Sequence, residues 1–201
     1  MEPYLEAHFE EVDFRSEDLR DCELTRSTFV RCRFTSASLS EVVTNSCRFI
    51  ECDFRGAQLN ASIHMETVFA NCQMQESNLF VAQFRQCKMT GSDFTKAQLD
   101  GITIDEGDWS YTILRHAKLT KQDLRGVRFY EADLYGTEFG KADLRNADLT
   151  RAQLSKASFE GADLRGAILD GIDFRTVEVK GARMDAAQAI SFLRSFGARV
   201  E

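Results

Sequence analysis

Large apolar residues recur along this chain at every fifth position. From Tyr4, a five-residue step lands on a large apolar residue as far as Met184, and only Thr44 and His64 place a polar residue there. We call these the central positions. Neither an α-helix, with about 3.6 residues per turn, nor a continuous strand, with a repeat of about two, has this period. The pattern therefore requires a chain that turns after every short extended segment.

The residue two places before most central positions is small. Ala142, Ala147 and Ala152 illustrate this, and Asp is common at the place between. A large and a small residue two apart point to the same side of an extended segment. Four such segments, roughly 20 residues, close one square coil, and coils stack at about 4.8 Å. We therefore predict a β-solenoid whose core alternates large and small residues to fill the interior.

The repeated unit A-(D/N)-(L/F)-x-x, seen in ADLRNADLTRAQL at 142–154, resembles that of pentapeptide-repeat proteins. The resemblance implies an all-β fold, the right-handed quadrilateral β-helix. The 36 steps from Tyr4 to Met184 correspond to about nine coils. We predict a β-helix over 1–184 and a separate C-terminal module over 185–201. The predicted core includes Phe9, Phe29, Phe49, Phe69, Leu144 and Leu164.

The repeat weakens within GITIDEGDWSYTI, at 101–113. Ile102 and Gly107 replace the usual Ala-type residues there, and Trp109 occupies a central position. We expect a local kink between two stretches of solenoid at this segment, rather than a binding site.

The cysteines and one histidine are better explained by packing than by chemistry. A free cysteine behaves as a small buried apolar residue, and buried thiols favour a reducing compartment, so we expect a cytoplasmic protein. His64 lies one coil from Thr44, which predicts a buried hydrogen-bonded pair. With no catalytic motif present, we expect no enzyme activity, no metal and no cofactor. All six cysteines occupy small inward positions: Cys22, Cys32, Cys47, Cys52, Cys72 and Cys87.

The period changes after Met184. DAAQAISFLRSFG, at 185–197, predicts an amphipathic helix with Asp185 as its N-cap and Gly197 as its stop. Such a helix covers the open end of a coil stack, where bare strand edges recruit other chains. The tail GARVE, at 197–201, is a candidate strand that pairs across a two-fold axis. The predicted dimer contacts are Ile190, Phe192, Leu193 and Phe196.

The C-terminal segment resembles that of one group within the family. It is similar to the C-terminal module of quinolone-resistance pentapeptide-repeat proteins, the Qnr and MfpA group, with its Gly-x-x-(Leu/Val)-Asp-x-x-Gln-Ala pattern. The resemblance implies a homodimer formed through the helix, a DNA-like acidic surface, and binding to DNA gyrase or topoisomerase IV that modulates the enzyme or protects it from inhibitors such as quinolones. The unbroken register leaves no room for the projecting loops of Qnr proteins, so the layout is closer to MfpA. The matching residues are Gly181, Met184, Asp185, Gln188 and Ala189.

Charge and hydropathy exclude two classes of partner. The net charge of −7 argues against direct nucleic-acid binding, and no apolar run approaches the roughly 20 residues of a membrane span. Residues 1–100 carry 16 acidic and 10 basic side chains, so the excess lies in the first half. A general interaction scaffold with another protein partner is the alternative function. Candidate partner-surface residues are Glu51, Glu66, Glu76, Phe80, Tyr130 and Tyr135.

Overall fold

The chain consists mainly of very short extended segments separated by tight turns. The structure is a computed structural model that describes residues 4–15 and 17–199. A 3-10 helix, Phe174–Thr176, and one α-helix, α1 (Ala186–Ser195), follow the strands. In chain order the strands are β1 (Tyr4–Leu5), β2 (His8–Glu10), β3 (Glu23–Thr25), β4 (Thr28–Val30), β5 (Val43–Asn45), β6 (Arg48–Ile50), β7 (Ile63–Met65), β8 (Val68–Ala70), β9 (Gln83–Arg85) and β10 (Thr103–Asp105).

The strands form two parallel sheets. One has six strands in the order β1-β3-β5-β7-β9-β10, and the other has four in the order β2-β4-β6-β8. Paired residues are 20 apart in sequence, as Phe29 and Phe49 are. Isolated parallel bridges continue the same spacing as far as the pair Asp163 and Arg183. The predicted β-solenoid with one C-terminal helix is therefore confirmed, whereas its right-handed winding and nine coils stay predictions.

The chain divides into two compact units, Met1–Asp108 and Trp109–Glu201, which we call the N-terminal and C-terminal units. The boundary falls inside 101–113, where the repeat weakens. Gly107 has a φ of 98°, and a Cβ there would overlap the carbonyl oxygen of Cys87. The chain therefore needs glycine at this place. The C-terminal helix, predicted as a separate module, lies within the C-terminal unit.

Each turn is made by the second residue after a central position, which we call the corner. Apart from Gly107 and Gly197, every described residue with a positive φ has a number ending in 1 or 6. The non-glycine corners have φ values between 48° and 63°, in the left-handed region. Backbone hydrogen bonds hold the corners in place, as between the Ser36 N–H and the Arg55 carbonyl at 2.9 Å. This stacking lets many side chains tolerate a conformation that normally favours glycine.

Aspartates before the central positions close the turns. The carboxylate of Asp13 accepts a hydrogen bond from the backbone N–H of Arg15 at 3.1 Å, and Asp163 and Arg165 repeat the contact at 3.2 Å. This is the local side-chain turn that Asp favours. The guanidinium of Arg165 also binds Asp163 and holds the pKa of that carboxyl at about 2. The aspartate preference therefore has a structural origin.

The central residues stack in columns through the core. Ring centroids of Phe29 and Phe49 are 4.7 Å apart, and those of Phe49 and Phe69 are 4.8 Å apart, which matches the spacing of strands. Leu144 and Leu164 are also fully buried. Phe9 is only partly covered, contrary to its predicted core position. It lies in the first described coil, so a single ring, that of Phe29, stacks on it.

One polar cluster interrupts these columns. The Thr44 hydroxyl lies 2.8 Å from Nδ1 of His64, and the Ser62 hydroxyl lies 2.9 Å from Nε2. The imidazole stacks on Phe84 with centroids 4.8 Å apart, as a phenylalanine ring would. Its complete burial lowers the pKa of His64 to about 3. The predicted hydrogen-bonded pair is present, and the imidazole is neutral at physiological pH.

All six cysteines are buried, and none of them forms a disulfide. Four thiols, those of Cys32, Cys52, Cys72 and Cys87, donate to a backbone carbonyl of the preceding coil; Cys52 lies 3.4 Å from the Phe29 oxygen and Cys87 lies 3.3 Å from the His64 oxygen. Burial raises the pKa of the Cys87 thiol to about 11, which disfavours the reactive thiolate. No cluster of His, Cys, Asp or Glu suited to a metal ion occurs within 4–15 and 17–199.

The corner conformation can be tested at Gly126. Its φ is 67°, and no atom lies within 4 Å of where a Cβ would stand. Gly126→Ala should lower the free energy of unfolding by about 1–2 kcal/mol through backbone strain alone. Gly140 has no positive φ and has room for a Cβ, so Gly140→Ala should not be destabilising. Chemical denaturation measures both; equal effects would contradict the assignment of strain to the corner.

A second test uses the pH dependence of stability. Unfolded His64 takes up a proton near pH 6.5 but the buried ring does so only near pH 3. The buried neutral ring therefore makes its whole contribution to the free energy of unfolding above pH 6.5. That contribution decreases as pH falls from 6.5 towards 3, by at most about 1.4 kcal/mol per pH unit. His64→Phe should remove this component, because phenylalanine has no titratable group. The two hydroxyl groups keep hydrogen-bond partners in the variant, Thr44 with Thr67 and Ser62 with the Leu59 carbonyl. Denaturation midpoints between pH 7 and pH 4 should then fall less steeply; parallel curves would contradict this.

Candidate functional site

Hydrogen bonds from two side chains hold the C-terminal helix against the last coils. The Asp185 carboxylate accepts hydrogen bonds from the N–H groups of Ala187 and Gln188 at the start of α1, and from the Gly166 N–H at 2.9 Å. The Gln188 side chain accepts from the Asp185 N–H at 2.8 Å and donates to the Ala167 carbonyl at 3.0 Å. This capping box, extended to the preceding coil, explains the Asp-x-x-Gln spacing.

The apolar residues of α1 divide into an inner and an outer set. Phe192 packs on Phe174 of the 3-10 helix, with ring centroids 5.3 Å apart. Leu193 is 47% exposed and Phe196 is 55% exposed, while Ile190 is half-buried. Phe192 therefore closes the solenoid, and Leu193 and Phe196 form the uncovered edge of the helix. We call this pair the outer edge.

The predicted tail strand is not present in the part that can be described. Ala198 and Arg199 belong to no strand, and Val200 and Glu201 lie outside the described residues. No helix within 4–15 and 17–199 is both long and apolar enough to cross a membrane.

The three acidic partner candidates do not form one site. Glu51, Glu66 and Glu76 are exposed corner residues, but they belong to three different columns of corners. Glu76 lies 3.6 Å from Lys96 in an ion pair, and Glu66 accepts a hydrogen bond from Ser46. Phe80, also in the N-terminal unit, is 47% exposed. These residues therefore present dispersed charge rather than a converging pocket.

The two tyrosine candidates belong to separate aromatic clusters of the C-terminal unit. Tyr130 packs edge-on against Tyr111, and the Arg128 guanidinium lies 5.1 Å from the centre of the Tyr130 ring. Tyr135 packs against His116 at 5.4 Å, with the Lys156 ammonium 5.3 Å from its ring. Such cation–π contacts order long basic side chains on a surface.

An open groove of about 550 Å³ lies beside the second cluster, in the C-terminal unit. Three exposed corner lysines, Lys121, Lys141 and Lys156, line it together with Glu138 and Glu160. The face between the two columns of corners is the floor of the groove, and Gly140 contributes no side chain to it. The sequence-based hypothesis did not include this groove, although one signal was available, because Gly140 is a glycine outside the corner register.

Comparisons with known proteins agree with this geometry. The description "Pentapeptide repeats (8 copies)" matches residues 6–41, 112–151 and 152–187, and "Pentapeptide repeat region" matches residues 42–114. The chain belongs to the pentapeptide-repeat family. The prediction made from the five-residue period is thus confirmed. Comparison with curated proteins finds no match.

Among solved structures, this pentapeptide-repeat protein is similar to QnrB1, described as a plasmid-mediated fluoroquinolone resistance protein. One trypsin-treated variant of QnrB1 is 23% identical with a TM-score of 0.86, and the match covers 100% of both chains. The full-length form is 23% identical with a TM-score of 0.85, over 98% of this chain and 100% of that one. A second trypsin-treated variant is 24% identical with a TM-score of 0.84, over 98% of this chain and 99% of that one. The likeness establishes a shared fold.

Charge is unequally divided within this pentapeptide-repeat protein. The N-terminal unit, 1–108, has 19 acidic and 10 basic side chains, a net charge of −9, whereas 109–201 has 13 and 15, a net charge of +2. The carboxylates of Asp21, Glu41 and Glu51 have no ion-pair partner among the described residues. The acidic surface therefore belongs to the N-terminal unit, and the C-terminal unit combines the helix with a weakly basic surface.

Proposed function

We propose that this protein is a homodimer that binds a type II topoisomerase, DNA gyrase or topoisomerase IV, as a DNA-like competitor, and modulates or protects that enzyme against inhibitors such as quinolones. The observation that carries the proposal is the C-terminal module. Asp185 and Gln188 of this module have the spacing typical of quinolone-resistance pentapeptide-repeat proteins. They hold α1 against the preceding coil by hydrogen bonds, and the outer edge of the helix stays uncovered. The fold shared with QnrB1 supports the same assignment.

Charge supports a DNA-like role for the N-terminal unit. Its six-stranded sheet contains five strand spacings, or about 24 Å, over which duplex DNA carries about 14 negative charges. The unit has a net charge of −9, which is of the same order. Because its unpaired carboxylates are dispersed over several corners, they resemble a charged surface rather than a single binding pocket.

The alternative function is a scaffold for a different protein partner. The groove in the C-terminal unit favours it, since unpaired charges beside an open floor suit another polypeptide. Neither function requires a catalytic group. Gyrase binding that DNA displaces would distinguish the first proposal from the second.

The dimer can be tested at the outer edge. We expect Leu193→Asp together with Phe196→Asp to produce a folded monomer, because both side chains are exposed and two charges would oppose burial in an interface. Multi-angle light scattering measures the mass, and circular dichroism checks the fold. Phe192→Asp is a poorer test, since it also removes the packing on Phe174. A dimeric double variant would contradict the assignment.

The topoisomerase proposal predicts a dose-dependent effect on DNA supercoiling by gyrase. Inhibition without drug would indicate a DNA-like competitor, and restored supercoiling in the presence of a fluoroquinolone would indicate a protector. Replacing Glu41, Glu51 and Glu66 by Gln should weaken the effect about tenfold, because interactions between exposed charges contribute roughly 0.2–1 kcal/mol each.

The matched control makes the same change of charge in the C-terminal unit. Asp123→Asn, Asp143→Asn and Asp163→Asn remove three carboxylates and retain side chains that can close the turns. This control should keep the full effect on supercoiling. No effect of the wild-type protein at micromolar concentration would refute the topoisomerase proposal and leave the scaffold function.

A further inference from the structure

The fold alone does not explain why the floor of the groove in the C-terminal unit contains a glycine, Gly140. Gly140 differs from the other glycines, all of which have positive φ values. Nor is it required by close packing, since a Cβ would meet Thr120 at an ordinary 3.6 Å. In the N-terminal unit, the equivalent place after a central residue holds Phe80, which is 47% exposed. A large side chain is therefore compatible with this register, and glycine keeps the groove open.

The basic residues of the C-terminal unit separate into paired and unpaired groups. Each arginine from Arg115 to Arg183 lies within 3.5 Å of a carboxylate oxygen, as Arg145 does at 2.6 Å from Asp143. Within the described part of this unit, the lysines have no such partner. Lys121 and Lys141 lie in adjacent coils along one rim of the groove, and Lys156 lies on the other rim, against Tyr135. The groove thus presents three lysines that form no ion pair among the described residues, beside the carboxylates of Glu138 and Glu160.

We propose that this groove binds a short, extended, acidic segment of a partner protein. Its volume of about 550 Å³ falls within the usual range of ligand clefts, about 300–1,000 Å³. Alternate side chains of an extended peptide point to opposite sides. Acidic side chains can therefore reach the lysines of both rims while the peptide backbone passes over Gly140. The proposal does not depend on topoisomerase binding.

The carboxylates of Glu138 and Glu160 favour a peptide over a nucleic acid. Both line the groove, and neither has an ion-pair partner among the described residues. They can accept hydrogen bonds from the N–H groups of a peptide backbone. A phosphate backbone has no N–H donors to offer these carboxylates. The mixture of charges therefore matches a polypeptide with both backbone donors and acidic side chains.

The test is fluorescence anisotropy with a labelled ten-residue peptide of alternating Glu and Ala, at low ionic strength. We expect saturable binding to the wild-type protein. Replacing Lys121, Lys141 and Lys156 by Gln should weaken it about tenfold, given the size of three exposed charge pairs. The matched control, Arg125→Gln with Arg145→Gln and Arg165→Gln, makes the same change of charge on another face and should retain binding.

Shape is tested separately from charge. Gly140→Phe should fill the groove and abolish peptide binding, whereas Thr150→Phe, which follows a central residue elsewhere in the unit, should not. Circular dichroism establishes that both variants are folded. The proposal would be overturned if the wild-type protein showed no saturable binding of the peptide. It would also be overturned if the lysine and arginine variants lost peptide affinity equally, or if folded Gly140→Phe still bound the peptide. Tighter binding of a ten-nucleotide single-stranded DNA, lost with the same lysines, would also overturn it in favour of a nucleic-acid site.

Discussion

Backbone hydrogen bonding between segments 20 residues apart is the constraint on which this protein depends. Each short segment exchanges hydrogen bonds with the coils on both sides, as when the Arg33 N–H donates to the Val12 carbonyl and the Phe34 N–H donates to the Asp53 carbonyl, so every coil must keep the same length. The corners must then turn at the same place in each repeat, and their left-handed backbone is imposed on charged and apolar residues alike. The conformational cost of those corners is offset because stacked coils satisfy the backbone groups on both sides.

The same constraint leaves little interior space for chemistry. The core is a set of columns in which rings such as Phe29 and Phe49 stack at the spacing of the strands. His64 fits this geometry because both ring nitrogens find hydroxyl partners, and the buried cysteines fit because a thiol is small and can donate to a carbonyl. The chemically reactive residue types are therefore used for packing. Binding must occur on the outward faces, at the corners and at the end of the solenoid.

Those outward regions differ in their chemistry. The N-terminal unit carries the excess of acidic side chains, whereas the C-terminal unit contains α1 and a groove lined by lysines. Several arginines, such as Arg145, are held by the aspartate two residues before them, because the planar guanidinium pairs with a carboxylate through two hydrogen bonds. The lysines in the described part of the C-terminal unit have no carboxylate partner. In that unit, the choice between the two cations thus separates structural ion pairs from charges that remain accessible to a partner.

The sequence alone determined the period, the solenoid, the inward positions and the capped helix, because each depends on local geometry repeated many times. Asp185 as N-cap and the buried cysteines follow from the same local rules. Only the tertiary structure decided that Phe192 packs inward while Leu193 points out, that Glu51, Glu66 and Glu76 do not converge, and that Gly140 opens a groove. These features depend on which side chains of different coils become neighbours. A five-residue pattern specifies the direction of each side chain, but contacts across coils depend on the shape and charge of residues far apart in the chain.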